Sequence, residues 1–272
     1  TSYGDMHLDA NSPAIIRSFA AGIAASGFGS VNASLSLNNI ANTVTSTMND
    51  STAAAIMGNV SLSASDKAPA DMAGYMDAMN VPGDIISTLM DCLDDSDATV
   101  GQTANIVSIS ASVAVSGWIG VSAAVAMNTI DNTVSATIID SAITSYFDIN
   151  VNSESGSKIV TLAAGAGGGV LGLNASLTAN SITNDIEASI TGNSLIDAGD
   201  DIILEASDTA GIDAVTISLA AGVAGLGGAI ITNTIDNHTH AYMDGASDSA
   251  KVKIKKADQV SVTASSNQSA RS

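Results

Sequence analysis

The sequence predicts an all-β fold, a repetitive parallel β-helix or solenoid with an inserted α-helical hairpin. Three observations predict it: small and β-branched residues dominate, apolar residues alternate with polar ones, and a unit of about 52 residues recurs. Aromatic residues make up 3% of the 272 and charged residues 13%. Three Phe, four Tyr and one Trp cannot fill a thick three-layer core, whereas Ala, Ser, Val and Ile suit a thin, regular stack of strands.

The repeat is carried by Asn-x-Ile-x-Asn, which occurs at Asn38, Ile40, Asn42; at Asn128, Ile130, Asn132; at Asn180, Ile182, Asn184; and at Asn233, Ile235, Asn237. Eleven residues before each first Asn stands Gly27, Gly117, Gly169 or Gly222. The last three copies are 52 and 53 residues apart, but the first two are 90 apart. In-register Asn side chains can hydrogen-bond to one another and to turn backbone. The eight Asn residues are therefore expected to form a structural ladder, with Ile40, Ile130, Ile182 and Ile235 pointing inward.

Two kinds of strand recur within the unit. One is Asp201-Ile202-Ile203-Leu204-Glu205-Ala206, echoed by Val60 to Ser65, Phe147 to Ser153 and Gln259 to Ser265. The other leads into the Gly-rich stretch, as in Val215 to Gly222, and continues through Ala229-Ile230-Ile231 to the Asn motif. Short alternating strands separated by Gly, Asn and Asp at a fixed period point to a solenoid. Spacing alone leaves open whether one unit makes a single wide coil or two ordinary ones.

The extra length in the first interval falls between Ser65 and Thr99. Prolines at Pro69 and Pro82 stand near two candidate helix starts, and Met72, Met76, Met79 and then Ile85, Ile86, Leu89, Met90, Leu93 recur at helical spacing. The domain reading is a first β-repeat over 1–65, a helical hairpin over 66–98 and three further repeats over 99–272. Because the hairpin adds nothing to the period, Met72, Tyr75, Met76, Met79, Ile86 and Met90 are its candidate interaction residues; thioethers adapt readily to a partner. A flap covering the sheet is the competing reading.

Segments such as Ile130-Asp131-Asn132-Thr133-Val134-Ser135-Ala136 and Asp201 to Ala206 resemble the repeats of leukotoxin-type filamentous adhesins, the long β-helical passengers of Gram-negative surface proteins. The resemblance covers nearly all of the chain outside Ser65 to Thr99. It implies export, display at the cell surface, and roles in adhesion or toxicity. The chain opens Thr1-Ser2-Tyr3-Gly4, without an initiator Met or a signal-peptide pattern, and reads as a piece of something longer.

Twenty-seven acidic residues against eight basic ones give a net charge of −19, which repels nucleic-acid phosphates and anionic membrane surfaces. Uncharged runs over Ser18 to Asn49, Gly101 to Ile130 and Ile159 to Asn184 are long enough to cross a bilayer, yet they alternate and are rich in Ser, Thr and Asn. No membrane insertion is expected from them. Lys251, Lys253, Lys255 and Lys256 alternate with Val252 and Ile254 as the charged face of a strand.

No pattern for catalysis is present: no Gly-x-Ser-x-Gly elbow, no phosphate loop, and Arg17 and Arg271 as the only arginines. The lone Cys92 gives neither a disulfide framework nor a thiolate cluster. Asp197, Asp200 and Asp201, and Asp91, Asp94, Asp95 and Asp97, lack a calcium-loop pattern. His238 and His240 share a strand face without a visible third ligand. The expectation is a non-catalytic extracellular segment without metal or cofactor. Its partners would be a host or neighbouring-cell surface component. The alternative is a fibre or sheath subunit that assembles with identical copies through solenoid ends or strand edges.

Overall fold

The structure, a computed structural model, describes residues 1–67, 104–245, 247 and 250–272. These form strands in three sheets whose pairings are all parallel. The third pass of the chain shows the plan. Strand β10 (Ile149–Gly168) turns at Gly169-Val170 into β11 (Leu171–Thr191), which turns again into the short β12 (Leu195–Ala198). After one further turn β13 (Ile202–Ala221) lies directly on β10, with Ile149 opposite Ile202 and Gly168 opposite Ala221. One unit is therefore a single wide pass of 53 residues, which settles what spacing left open. We call each pass a rung.

The first rung is β1 (Met6–Asn11), β2 (Ile16–Ser26), β3 (Gly29–Ile40), β4 (Thr43–Asn49) and β5 (Thr52–Ala55). The second is β6 (Val60–Lys67), β7 (Ile106–Ser116), β8 (Ile119–Ile139) and β9 (Ala142–Ser145). After β13 the fourth rung continues through β14 (Ala224–Ile235), β15 (His238–Asp244) and β16 (Lys253–Lys256), and β17 (Val260–Arg271) lies on β13. The first sheet holds β1, β2, β6, β7, β10, β13 and β17; the second β3, β4, β8, β11, β14 and β15; the third β5, β9, β12 and β16. Parallel sheets of stacked strands are compatible with a parallel β-helix.

β1 and β6 are offset by 54 residues but β2 and β7 by 90, so the second rung carries 36 extra residues between β6 and β7. The expected helical hairpin falls almost wholly on 68–103, outside the described residues. Pairing continues through Lys67, two residues past Ser65, and resumes by Ile106. On the neighbouring strand those positions face Gly156 and Ile159, so the chain leaves and rejoins the sheet almost at one point. The return is clamped: Asn105 donates to the Lys158 carbonyl at 2.9 Å and accepts from the Lys158 amide at 2.8 Å. The Arg17 guanidinium, its pKa pushed down to about 10 by burial, donates to the carbonyls of Ala104 and Asn105 at 2.5 and 3.0 Å.

The turn from second to third sheet explains a repeat feature of its own. Asp50 and Asp140 have φ of 46° and 47° and Gly192 has 74°, all left-handed, and the three are equivalent one rung apart. Asp tolerates that conformation through its short polar side chain and Gly has no Cβ to clash. The Asp140 carboxylate also accepts the Asn193 amide at 2.8 Å, tying one turn to the next.

Packing divides each rung in two. Where all three sheets meet they enclose an apolar prism of stacked columns, such as Val60, Ile149, Ile202 and Met48, Ile138, Ile190. Beyond it only the first two sheets continue, back to back, as a thin blade. Its interior is Ser, Thr, Ala, Gly and Asn, and the sheets approach so closely that a Cβ on Gly165 would collide with the Asn174 amide. A waist of Ile residues joins the halves: Ile40, Ile130 and Ile182 meet Ile106, Ile159 and Ile212, with Ile16 and Ile235 packed against them.

Candidate functional site

The eight motif asparagines lie in two interior columns, one on each side of the Ile waist, because residues two apart on a strand share a face. In the first, Asn38 donates through Nδ2 to Oδ1 of Asn128 at 2.7 Å, Asn128 to Asn180 at 2.7 Å, and Asn180 to Asn233 at 2.9 Å. The opposite sheet completes the column, with Ser18 accepting from Asn38 and Thr161 accepting from Asn128 and donating to Asn180. Asn128, Asn180 and Asn233 thus spend both donor and acceptor on neighbours that the strand register delivers.

The second column, Asn42, Asn132, Asn184 and Asn237, works differently. The Asn42 backbone amide donates to Asn132 Oδ1 at 3.1 Å and that of Asn184 to Asn237 Oδ1 at 2.9 Å. Facing this column from the first sheet stand Asp66, Ser155, Asp208 and Ser266, equivalent in register. Asn42 donates to Asp66 at 3.3 Å; Asn184 and Asn237 donate to the two oxygens of Asp208 at 3.1 and 2.6 Å. Burial pushes both carboxyls above the usual range, while these amide hydrogen bonds pull them back only in part. Acid and hydroxyl alternate from rung to rung, which keeps the two buried charges two strand spacings apart.

The middle of each column is sealed: Asn128, Asn132, Asn180 and Asn184 are 3% exposed or less, while Asn38, Asn42, Asn233 and Asn237 at the ends are half-buried. The two buried acids escaped the sequence reading because their column alternates with Ser; position 66, assigned there to the hairpin, is an interior strand residue.

The surface holds the remaining candidates. Met72, Tyr75, Met76, Met79, Ile86 and Met90 lie outside the described residues, as do Cys92 and Asp91, Asp94, Asp95 and Asp97. His238 and His240 stack on the exposed side of β15 with ring centroids 6.3 Å apart. Among the described residues no cluster of three His, Cys, Asp or Glu converges. Asp197 pairs with Lys255 at 2.5 Å, and Lys256 donates to the Gly199 carbonyl at 2.6 Å, so the lysine strand is tied to the rung below it. A shallow groove runs between Met243, Lys251 and Ile254.

The blade shows a feature of another kind. Its outward positions on the second sheet are aliphatic and form columns across the strands. Val31, Val121, Leu173 and Leu226 make one ridge; Leu35, Val125, Leu177 and Ile230 make a second. Between them runs a floor of Ala33, Ala123, Ala175 and Gly228, an open groove whose walls are almost wholly apolar. At the tip Phe28, Trp118, Val170 and Val223 project outward, 81%, 61%, 45% and 89% exposed. This apolar surface belongs to strands β3, β8, β11 and β14, and no helix of the described residues is long and apolar enough to cross a membrane.

Compared with known proteins, the chain matches no family model, no curated protein and no solved structure.

Proposed function

We propose that the chain is a non-catalytic structural and adhesive segment of a large secreted surface protein. It is a parallel β-helical stalk that resembles the repeats of leukotoxin-type filamentous adhesins, and it presents an inserted element to a host or neighbouring cell. The observation that supports this reading best is the pair of Asn columns running through four rungs, buried in the middle two: polar side chains spent on one another and on the opposite sheet describe a spacer, not a catalyst. The 36-residue excursion supports the second half, because it leaves and rejoins the sheet almost at one point and the strands on either side of it keep their register.

The register supplies a clean test. Asn11 to Ile16 covers five residue steps in the first rung; deleting 68–103 leaves Ser65 to Ile106 with the same five. The deletion variant is expected to keep the β circular dichroism spectrum and the melting temperature of the full chain while losing its binding to epithelial cells or to bacteria. Cell binding that survives the deletion, or a full chain that binds no cell type, sinks the adhesive reading. A variant that aggregates favours a covering flap.

A further inference from the structure

We infer that the aliphatic face of the blade on the second sheet is the seat of a second copy of this chain, in a twofold, sheet-to-sheet contact. This goes beyond the adhesive reading and stands on the outer face alone. An outward row of aliphatic side chains gains nothing from its own fold, since the pleat points it away from the interior. It is also not a sparse scatter of exposed residues: three adjacent columns on four strands carry no charge and no hydrogen-bonding side chain at all.

The relief of the face identifies the occupant. The two ridges are four residues apart along the strand, about 13 Å, with the Ala and Gly floor midway. A floor of that width takes one ridge of Val and Leu. Under a twofold axis each copy sets a ridge into the floor of the other, so the surface contains its own complement, as an isologous contact requires. A polar ligand finds nothing to hold there, and a lipid surface would give no reason for ridge and floor to alternate.

Size and charge agree with this. Four strands at about 4.8 Å and nine residues at about 3.3 Å give roughly 570 Å² per copy, or about 1,100 Å² over both. That is close to the ~1,200 Å² at which specific interfaces begin, before corrugation adds to it. Two sheets packed at about 10 Å are an ordinary sandwich. With net charge −19, two bodies would repel, but no blade segment (18–40, 104–130, 159–182 or 214–235) contains a charged residue. Overlapping the uncharged blades with the bodies on opposite sides holds the acidic parts beyond the ~8 Å screening length.

The test is sedimentation velocity of the full chain from about 1 to 100 µM, the range in which a contact of this size associates. Ala175→Lys places a cation on the floor, pointing outward from the fold; Ala123→Lys does so one strand away. Thr144→Lys, exposed on β9 in the third sheet, makes the same charge change far from the face. The parent and Thr144→Lys are expected to dimerise alike, while at least one floor variant needs tenfold more protein or stays monomeric with the parent's melting curve. Added salt should strengthen the dimer. A parent that is monomeric at 100 µM overturns the inference, as does a dimer indifferent to both folded floor variants. Flotation with phosphatidylcholine vesicles that only the floor variants lose would assign the face to lipid and overturn it as well. A monomer that still binds cells removes this inference and leaves the adhesive reading standing.

Discussion

Strand β11 passes through both halves of the rung, and its two ends use one pleat in opposite ways. In the prism its even-numbered residues, Ile186, Ala188 and Ile190, are buried and apolar, and its outward ones are Thr183, Asp185 and Glu187. In the blade the even-numbered residues are still buried, but they are Gly172, Asn174, Ser176 and Thr178, and the outward ones are Leu171, Leu173 and Leu177. Parity does not change along the strand; only the allocation of apolar residues does. A pleat cannot reverse its faces without a slip in register, and β8 and β11 stay in register over all their 21 pairs. The prism is therefore held by burial and the blade by register and hydroxyl pairs, such as Ser36 with Ser108 at 2.9 Å and Thr178 with Thr216 at 2.6 Å.

The sharpest way to break this comparison is to place the same charge on both faces of β11. Ile182→Asp puts a carboxylate in a fully buried column between Ile130 and Ile235, where it would cost about 4 kcal/mol or more. Leu177→Asp, five residues earlier and of opposite parity, is expected to change monomer stability by about 1 kcal/mol or less. Urea unfolding at a concentration that keeps the protein monomeric measures both. Equal losses would mean that the blade's outward face is already covered within one chain.

A smaller effect is expected from Asn180→Ala. It removes three hydrogen bonds, leaving Asn128 Nδ2 with only Thr161, the Thr161 hydroxyl without an acceptor and Asn233 Oδ1 without its donor, at a cost of about 2–3 kcal/mol in sum. Thr178→Val, two residues away inside the blade, loses one hydroxyl pair and should cost about 1 kcal/mol. If the order is reversed, the hydroxyl pairs rather than the Asn column carry the cohesion.

Much of the ladder was legible in the sequence because Asn-x-Ile-x-Asn recurs at a period that is also the period of strand pairing. The offset of 52 between Asn128 and Asn180 in the chain is the offset of their hydrogen bond. The Ile waist could be read for the same reason: Ile40, Ile130 and Ile182 are buried, and Ile235 is packed against them. The width of the rung was not legible, because alternation fixes which residues share a face and not where a strand bends. Which face of the blade is inner was not legible either. Alternation is symmetric, and only the close approach at Gly165 and Asn174 shows that small residues are the inner set. The uncharged runs were a signal of this surface, visible but set aside with the membrane reading.

The layer between prism and waist gives the smallest and most specific prediction. Asp66 and Asp208 are carboxyls whose folded pKa lies above the unfolded value, chiefly through burial. The native state therefore holds their protons more tightly than the unfolded chain does. Their favourable contribution is complete below the usual carboxylate range and is lost as pH rises through the folded pKa. The melting temperature should accordingly rise as pH is lowered from 8 toward about 4, the usual carboxylate range. General relief of acidic repulsion acts in the same direction, so the slope must be isolated. Ser is the residue that the same column carries at Ser155 and Ser266, which makes Asp66→Ser with Asp208→Ser the least disruptive way to remove both titrations. The double variant is expected to gain on the parent as pH rises from about 4 toward 8, because the parent must ionise two carboxyls in a buried site. A parent and variant whose melting temperatures run parallel across that range would mean that neither carboxyl titrates there. The alternation of acid and hydroxyl along the column would then have to be explained by hydrogen-bond geometry alone.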